Sequence, residues 1–156
     1  MKLTKEDKTK IEELKNNNKE VINSLTRLDY FIWSYSFDEL THMLVLMYDN
    51  LGLIEEFNIP VDALISFSKN LQSCYFDNPY HNFLHAFDVT QMCFYFIKKS
   101  KCKDYLTKID QLALLTSALC HDVSHPGYII LIYVSYNSIG TTNTYQINAQ
   151  SELSLL

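Results

Sequence analysis

Only six residues of this 156-residue chain, three glycines and three prolines, interrupt a helix through their own backbone chemistry. A turn-rich β fold needs many more such positions, so the chain is expected to be all-α. Hydrophobic residues at 47% and charged residues at 20% supply apolar material for one domain with a real core. The net charge of −5 and the lack of a basic stripe argue against a nucleic-acid partner. The opening "MKLTKEDKTKIEELKNNNKE" is charged throughout and does not read as a secretory leader. The longest apolar run, Tyr128 to Val134, is too short to span a bilayer. Cys74, Cys93, Cys102 and Cys120 form no C-x-x-C, which predicts buried, reduced thiols and a cytoplasmic location.

Residues 1–27 read as a polar, solvated helical lead-in, and 28–156 as the domain proper. "SFDEL" sets Ser36 and Glu39 as a capping box before a helix carrying Leu40, Met43, Leu44, Met47 and Leu51, with Gly52 ending it. "NIPVDAL" places Pro60 in the first turn of a helix carrying Leu64, Phe67 and Leu71. "FDNPY" is a turn, and a helix is expected from about His81 to Ser100. Thr107 with Asp110 caps a further helix carrying Ile109, Leu112, Leu115 and Leu119, which should end near Asp122 because Pro126 and Gly127 follow. The tyrosines and phenylalanines are expected to pack in the core.

Four of the five histidines form two pairs at a spacing of four, His81 with His85 and His121 with His125. Residues i and i+4 share a helix face, and Asp88 would join the first pair there. Asp122 beside His121 faces the negative end of a helix dipole, a penalty that a bound cation would reverse. Imidazole and carboxylate suit zinc-class ions, and carboxylates also suit magnesium or manganese. The same residues could instead be packing and capping groups, and the spacing alone does not reveal a reaction. His42, outside both pairs, reads as an ordinary histidine.

"NPYHNFLHAFDVTQM" and "ALCHDVSHPG" resemble the catalytic domain of class I 3′,5′-cyclic nucleotide phosphodiesterases, as do "LGLIEEFNIP" upstream and "NTYQINAQSELSLL" downstream. The resemblance implies an all-α helical bundle of the HD-type phosphodiesterase fold, truncated here, that hydrolyses 3′,5′-cyclic nucleotides to 5′-nucleotides. It implies two divalent metal ions, zinc with magnesium or manganese. By the same resemblance His81 is the general acid, His85, His121 and Asp122 are metal ligands, His125 supports the site, and Tyr80 lines the pocket. A histidine, with a reference pKa of about 6.5, suits protonation of a departing 3′ oxygen. The stretch "HNFLHAFDVTQM" leans toward the cyclic GMP branch. The implied partner is a cyclic nucleotide, cAMP or cGMP, with no membrane segment and no nucleic acid.

Three departures from the family pattern stand out. Residues 128–140 contain no Lys, Arg, Asp or Glu, and deleting them gives "HPGTTNTYQINA", which fits the pattern. They are expected to be an insertion, either a short translated intron or a genuine loop, which shifts Asn143 from its expected supporting place. Ser124 stands where the family commonly has Asp, so a weakened outer shell is expected. The family's last metal-binding Asp and its base-gripping residues would fall beyond residue 156, so weak metal binding and little turnover are expected. The alternatives are a truncated, non-catalytic interaction protein or another metal-dependent HD-type phosphohydrolase.

Overall fold

The computed structural model describes Thr9 and residues 18–127. Residues 128–140 and Asn143, the expected insertion and the supporting asparagine, lie outside the described residues. Among the described residues every regular element is helical, as the scarcity of helix breakers predicts. In chain order these are α1 (Asn18–Leu25), α2 (Phe37–Asn50), α3 (Leu53–Glu56), α4 (Val61–Ser73), α5 (Phe83–Lys99) and α6 (Lys108–Cys120). Single turns of 3₁₀ helix at Ile32–Ser34 and Lys101–Asp104 complete the order. None of these helices is long and apolar enough to cross a membrane.

The boundaries follow local chemistry. Ser36 accepts from the Glu39 backbone N–H while the Glu39 carboxylate accepts from the Ser36 N–H, so both halves of the expected capping box form. Thr107 and Asp110 do the same for α6. Gly52 adopts φ +71, the left-handed conformation glycine takes beyond a helix end, and its N–H reaches the Asp49 carbonyl at 2.8 Å. Pro60 caps α4 from just outside its first turn.

α2 and α5 form the centre. Leu40, Leu44, Met47, Phe87 and Phe94 are fully buried, and α5 packs most extensively against α6. Each such large apolar side chain contributes about 1.5–3 kcal/mol through removal from water. The Tyr48 hydroxyl ties α2 to Thr116 on α6 at 2.9 Å. Thr116 spends its own proton on the Leu112 carbonyl, so Tyr48 is the donor. Gln91 on α5 donates to the carbonyls of Leu25 and Arg27, groups that the end of α1 leaves without helical partners.

Several expectations change. α1 buries Ile22 and Leu25 in the common core, so the end of the lead-in is packed rather than solvated. Phe67 and Ile109 keep the predicted helical spacing but are 37% and 57% exposed, because they lie at the margins of their apolar faces. Phe31, Trp33, Phe76, Phe96 and Tyr105 are also exposed, so core packing does not account for all the aromatics. The four cysteines are free as expected, yet Cys74 and Cys102 are exposed rather than buried. His42 lies buried on α2.

Candidate functional site

The expected helix from His81 begins two residues later. Asn82 is the N-cap of α5, its side-chain oxygen accepting from the His85 N–H at 3.1 Å. His85 is therefore in the first turn and His81 lies outside the helix. α6 likewise stops at Cys120, with His121 as C-cap and His125 in the turn beyond. A shared helix face does not bring either pair together. The close pairs cross between segments: the His81 and His125 rings stack at 4.0 Å, and the His85 and His121 rings meet edge to face at 5.3 Å.

These contacts place the beginning of α5 against the end of α6. Two clusters result, one of His85, His121 and Asp122 and one of His81, Asp122 and His125, each with candidate ligand atoms within 4.8 Å of one another. Asp122 belongs to both. Its Oδ2 lies 3.1 Å from His121 Nε2 and 3.6 Å from His85 Nε2. Asp88 is exposed on α5 and joins neither cluster. Tyr80 is 62% exposed, with its ring 4.4 Å from that of His85.

The hydrogen bonds decide what the clusters can hold. His121 Nδ1 lies 2.8 Å from the Ala118 carbonyl, which can only accept, so Nδ1 carries the proton. In the neutral ring Nε2 is then a bare lone pair facing Asp122 Oδ2, itself a buried acceptor without a hydrogen-bond partner. Two acceptors at that distance need a cation or a proton between them. Burial pushes the His85 pKa down and the neighbouring His121 adds to this, while Asp122 opposes without reversing it. His85 is thereby favoured as a neutral imidazole, the form that binds metal. Two imidazole nitrogens and a carboxylate fit a divalent cation of the zinc class.

The supporting loops are pinned by single bonds. The Tyr75 hydroxyl donates to the Leu119 carbonyl at 2.7 Å, holding residues 74–78 on the end of α6. Burial raises the Tyr75 pKa to about 12, so the donor keeps its proton. Ser124, at φ +59, directs its N–H to the Cys74 carbonyl at 3.2 Å and serves the turn rather than the two histidine–aspartate clusters. Asn78 and Asn82, absent from the sequence-predicted set, bond to the backbone of the histidine segments. The available signal was "DNPYHNFLH", where Asn82 stands three residues before His85 at capping distance.

Fold and site together define, among the described residues, an all-helical unit with a histidine–aspartate cluster that could hold a metal at a helix junction. Residues 80–156 match the family model described as 3′5′-cyclic nucleotide phosphodiesterase. The chain is 41% identical over 140 residues to the 3′,5′-cyclic-nucleotide phosphodiesterase regA of Dictyostelium discoideum, covering 89% of this chain and 16% of that protein. It is 35% identical over 136 residues to the mouse (Mus musculus) high affinity cGMP-specific 3′,5′-cyclic phosphodiesterase 9A, covering 87% of this chain and 23% of that protein. With the cGMP-specific 3′,5′-cGMP phosphodiesterase 3 of Dictyostelium discoideum it shares 30% identity over 140 residues, 90% of this chain and 27% of that protein. Residues 80–156 belong to the cyclic nucleotide phosphodiesterase family. It spans between about a sixth and about a quarter of the length of these curated relatives.

Proposed function

We propose that this chain carries the metal-binding and proton-donating part of an enzyme that hydrolyses 3′,5′-cyclic nucleotides to 5′-nucleotides. The observation that carries the reading is the meeting of His121 Nε2 and the unpartnered Asp122 Oδ2 beside His85. His85, His121 and Asp122 would hold a zinc-class cation. Asp122, shared by both clusters, would face a second ion, magnesium or manganese. When bound, such cations offset the charge that builds on phosphoryl oxygens and supply an activated nucleophile.

The chain's own residues do the remaining work. His81 holds a proton for the departing 3′ oxygen. His125 stacks on His81 and fixes its ring plane, while its Nδ1 accepts from the Gly127 N–H at 3.0 Å. Tyr80 borders the site beside His85, and Asn143 is assigned a supporting role. Cyclic AMP and cyclic GMP are both candidate substrates, because the relatives include cGMP-specific enzymes and one named for cyclic nucleotides in general. Free thiols fit a cytoplasmic location. The 156-residue chain should bind its cation weakly and turn over slowly, since His121 is 36% exposed and, among the described residues, three side chains form that cluster.

Zinc titration by calorimetry is the first test, with magnesium-supported hydrolysis of both cyclic nucleotides as the second. The reading expects measurable zinc binding by the parent and its loss in Asp122→Ala. A parent that binds no zinc in that titration, under reducing, chelator-free conditions, sinks it.

A further inference from the structure

Neither His81 nor His125 sits inside a helix, so backbone regularity does not set their separation. Asn78 does. Its Nδ2 has two N–H groups, one donating to the His81 carbonyl at 3.0 Å and the other to the His125 carbonyl at 2.8 Å, 47 residues along the chain. The Asn78 carbonyl accepts from Asn82 Nδ2 at 2.8 Å, and Asn82 in turn caps α5 through the His85 N–H. A Cβ at position 127 would lie 2.6 Å from Asn78 Oδ1, and Gly127 has φ +79. Glycine is thus required there twice, by backbone conformation and by the carboxamide packed on it. An asparagine that only shaped its own turn would bond locally; this one also joins a distant segment.

We infer that Asn78 is a positioning residue of the candidate metal centre, its carboxamide clasping the His81 and His125 backbones so that both rings meet Asp122. The inference rests on the metal reading above. Substitution should misplace donors without removing any.

Asn78→Ala deletes the clasp. Asn78→Asp keeps its shape but turns an acceptor oxygen toward two carbonyl oxygens. Two measurements test them: zinc affinity by calorimetric titration well below each variant's unfolding temperature, and the ring-proton NMR signals of the metal-free protein. Zinc affinity should fall about ten- to hundredfold in both variants, the range for groups that orient metal ligands. The His81 and His125 signals should move together, while that of His42 stays. Unchanged zinc affinity in a folded variant overturns the inference. If the parent holds no zinc, the metal reading fails by itself, and unmoved His81 and His125 signals in folded Asn78→Asp overturn the clasp separately. If neither variant folds, the unsubstituted protein decides, because Asn78 side-chain protons exchanging at the solvent rate are incompatible with the clasp.

Discussion

The middle of α5 and its beginning are built on different principles. Phe87 and Phe94 are fully buried in the common core, and removing either leaves a hole that neighbouring helices cannot close. Around His81 and Asn82 the chain is half-exposed and held by individual hydrogen bonds from Asn78, Asn82 and Tyr75. A buried phenylalanine contributes about 1.5–3 kcal/mol, and a single hydrogen bond about 0.5–1.5 kcal/mol net. Packing brings the two helix ends together, but it does not aim the rings. The site should therefore respond to substitution in its chemistry, and the core in its stability.

The largest expected effect lies at the site. His81→Ala should lower turnover of cyclic nucleotide by about 10²–10⁴, the contribution of a positioned general acid. Zinc content and unfolding midpoint should stay near those of the parent. Loss of zinc in step with turnover would contradict the proton-donor role and would move His81 into the ligand set, through the cluster it forms with Asp122 and His125.

The complementary experiment is in the core. Phe94→Ala should destabilise the fold by about 3–5 kcal/mol, the transfer cost plus the residual cavity. Measured well below its unfolding midpoint, the folded fraction should still bind zinc. Denaturant unfolding followed in parallel with zinc titration checks both halves. Weakened zinc binding in folded molecules would show that the core and the helix junction are coupled, erasing the distinction drawn above.

Core and site also differ in how far the sequence discloses them. The helices were legible because capping pairs such as Ser36 with Glu39 and Thr107 with Asp110 act over a few residues. The margins were not: spacing places Phe67 and Ile109 on an apolar face but not how far the neighbouring helix reaches. At the site, His85, His121 and Asp122 were read as a group and do converge. They come from separate helices, as expected. The shared face expected for His81, His85 and Asp88 does not form, because Asn82 starts α5 after His81; His121 likewise ends α6 before His125, and the close pairs form across segments. Asn78 stayed invisible because its second partner, the His125 carbonyl, is set by tertiary structure alone.

A smaller effect separates the needs of binding from those of folding. Asp122 Oδ2 is a buried acceptor without a hydrogen-bond partner, facing a bare His121 nitrogen. Asp122→Asn supplies a donor at that point while removing the charge. The metal-free protein should gain about 1 kcal/mol, the cost of one unsatisfied buried group being of that order, and zinc retention should be lost. Thermal unfolding with and without zinc reads both signs. A variant less stable than the parent in the absence of metal would mean that Asp122 supports the fold, placing it with the core.

The mildest test uses pH. The folded-state pKa of His85 is lowered from the usual 6.5, through burial first and the neighbouring His121 second. Below about pH 6.5 the unfolded chain takes up a proton that folded His85 resists, so stability falls as pH drops through that value. The loss grows until pH passes the folded pKa and then levels off. Asp29 and Asp110 behave differently. The Arg27 guanidinium beside Asp29, and the Thr107 hydroxyl beside Asp110, hold these carboxyls below 3.8, so the stability they confer is lost only in stronger acid. A shoulder between the two windows is therefore expected in unfolding free energy against pH for the metal-free parent. In His85→Gln that shoulder should be reduced while the acid limb remains. If the substitution leaves the whole profile unchanged, the His85 environment is as open to water as the loops around it, and the contrast between a packed helix and a solvated junction fails at the residue where the two meet.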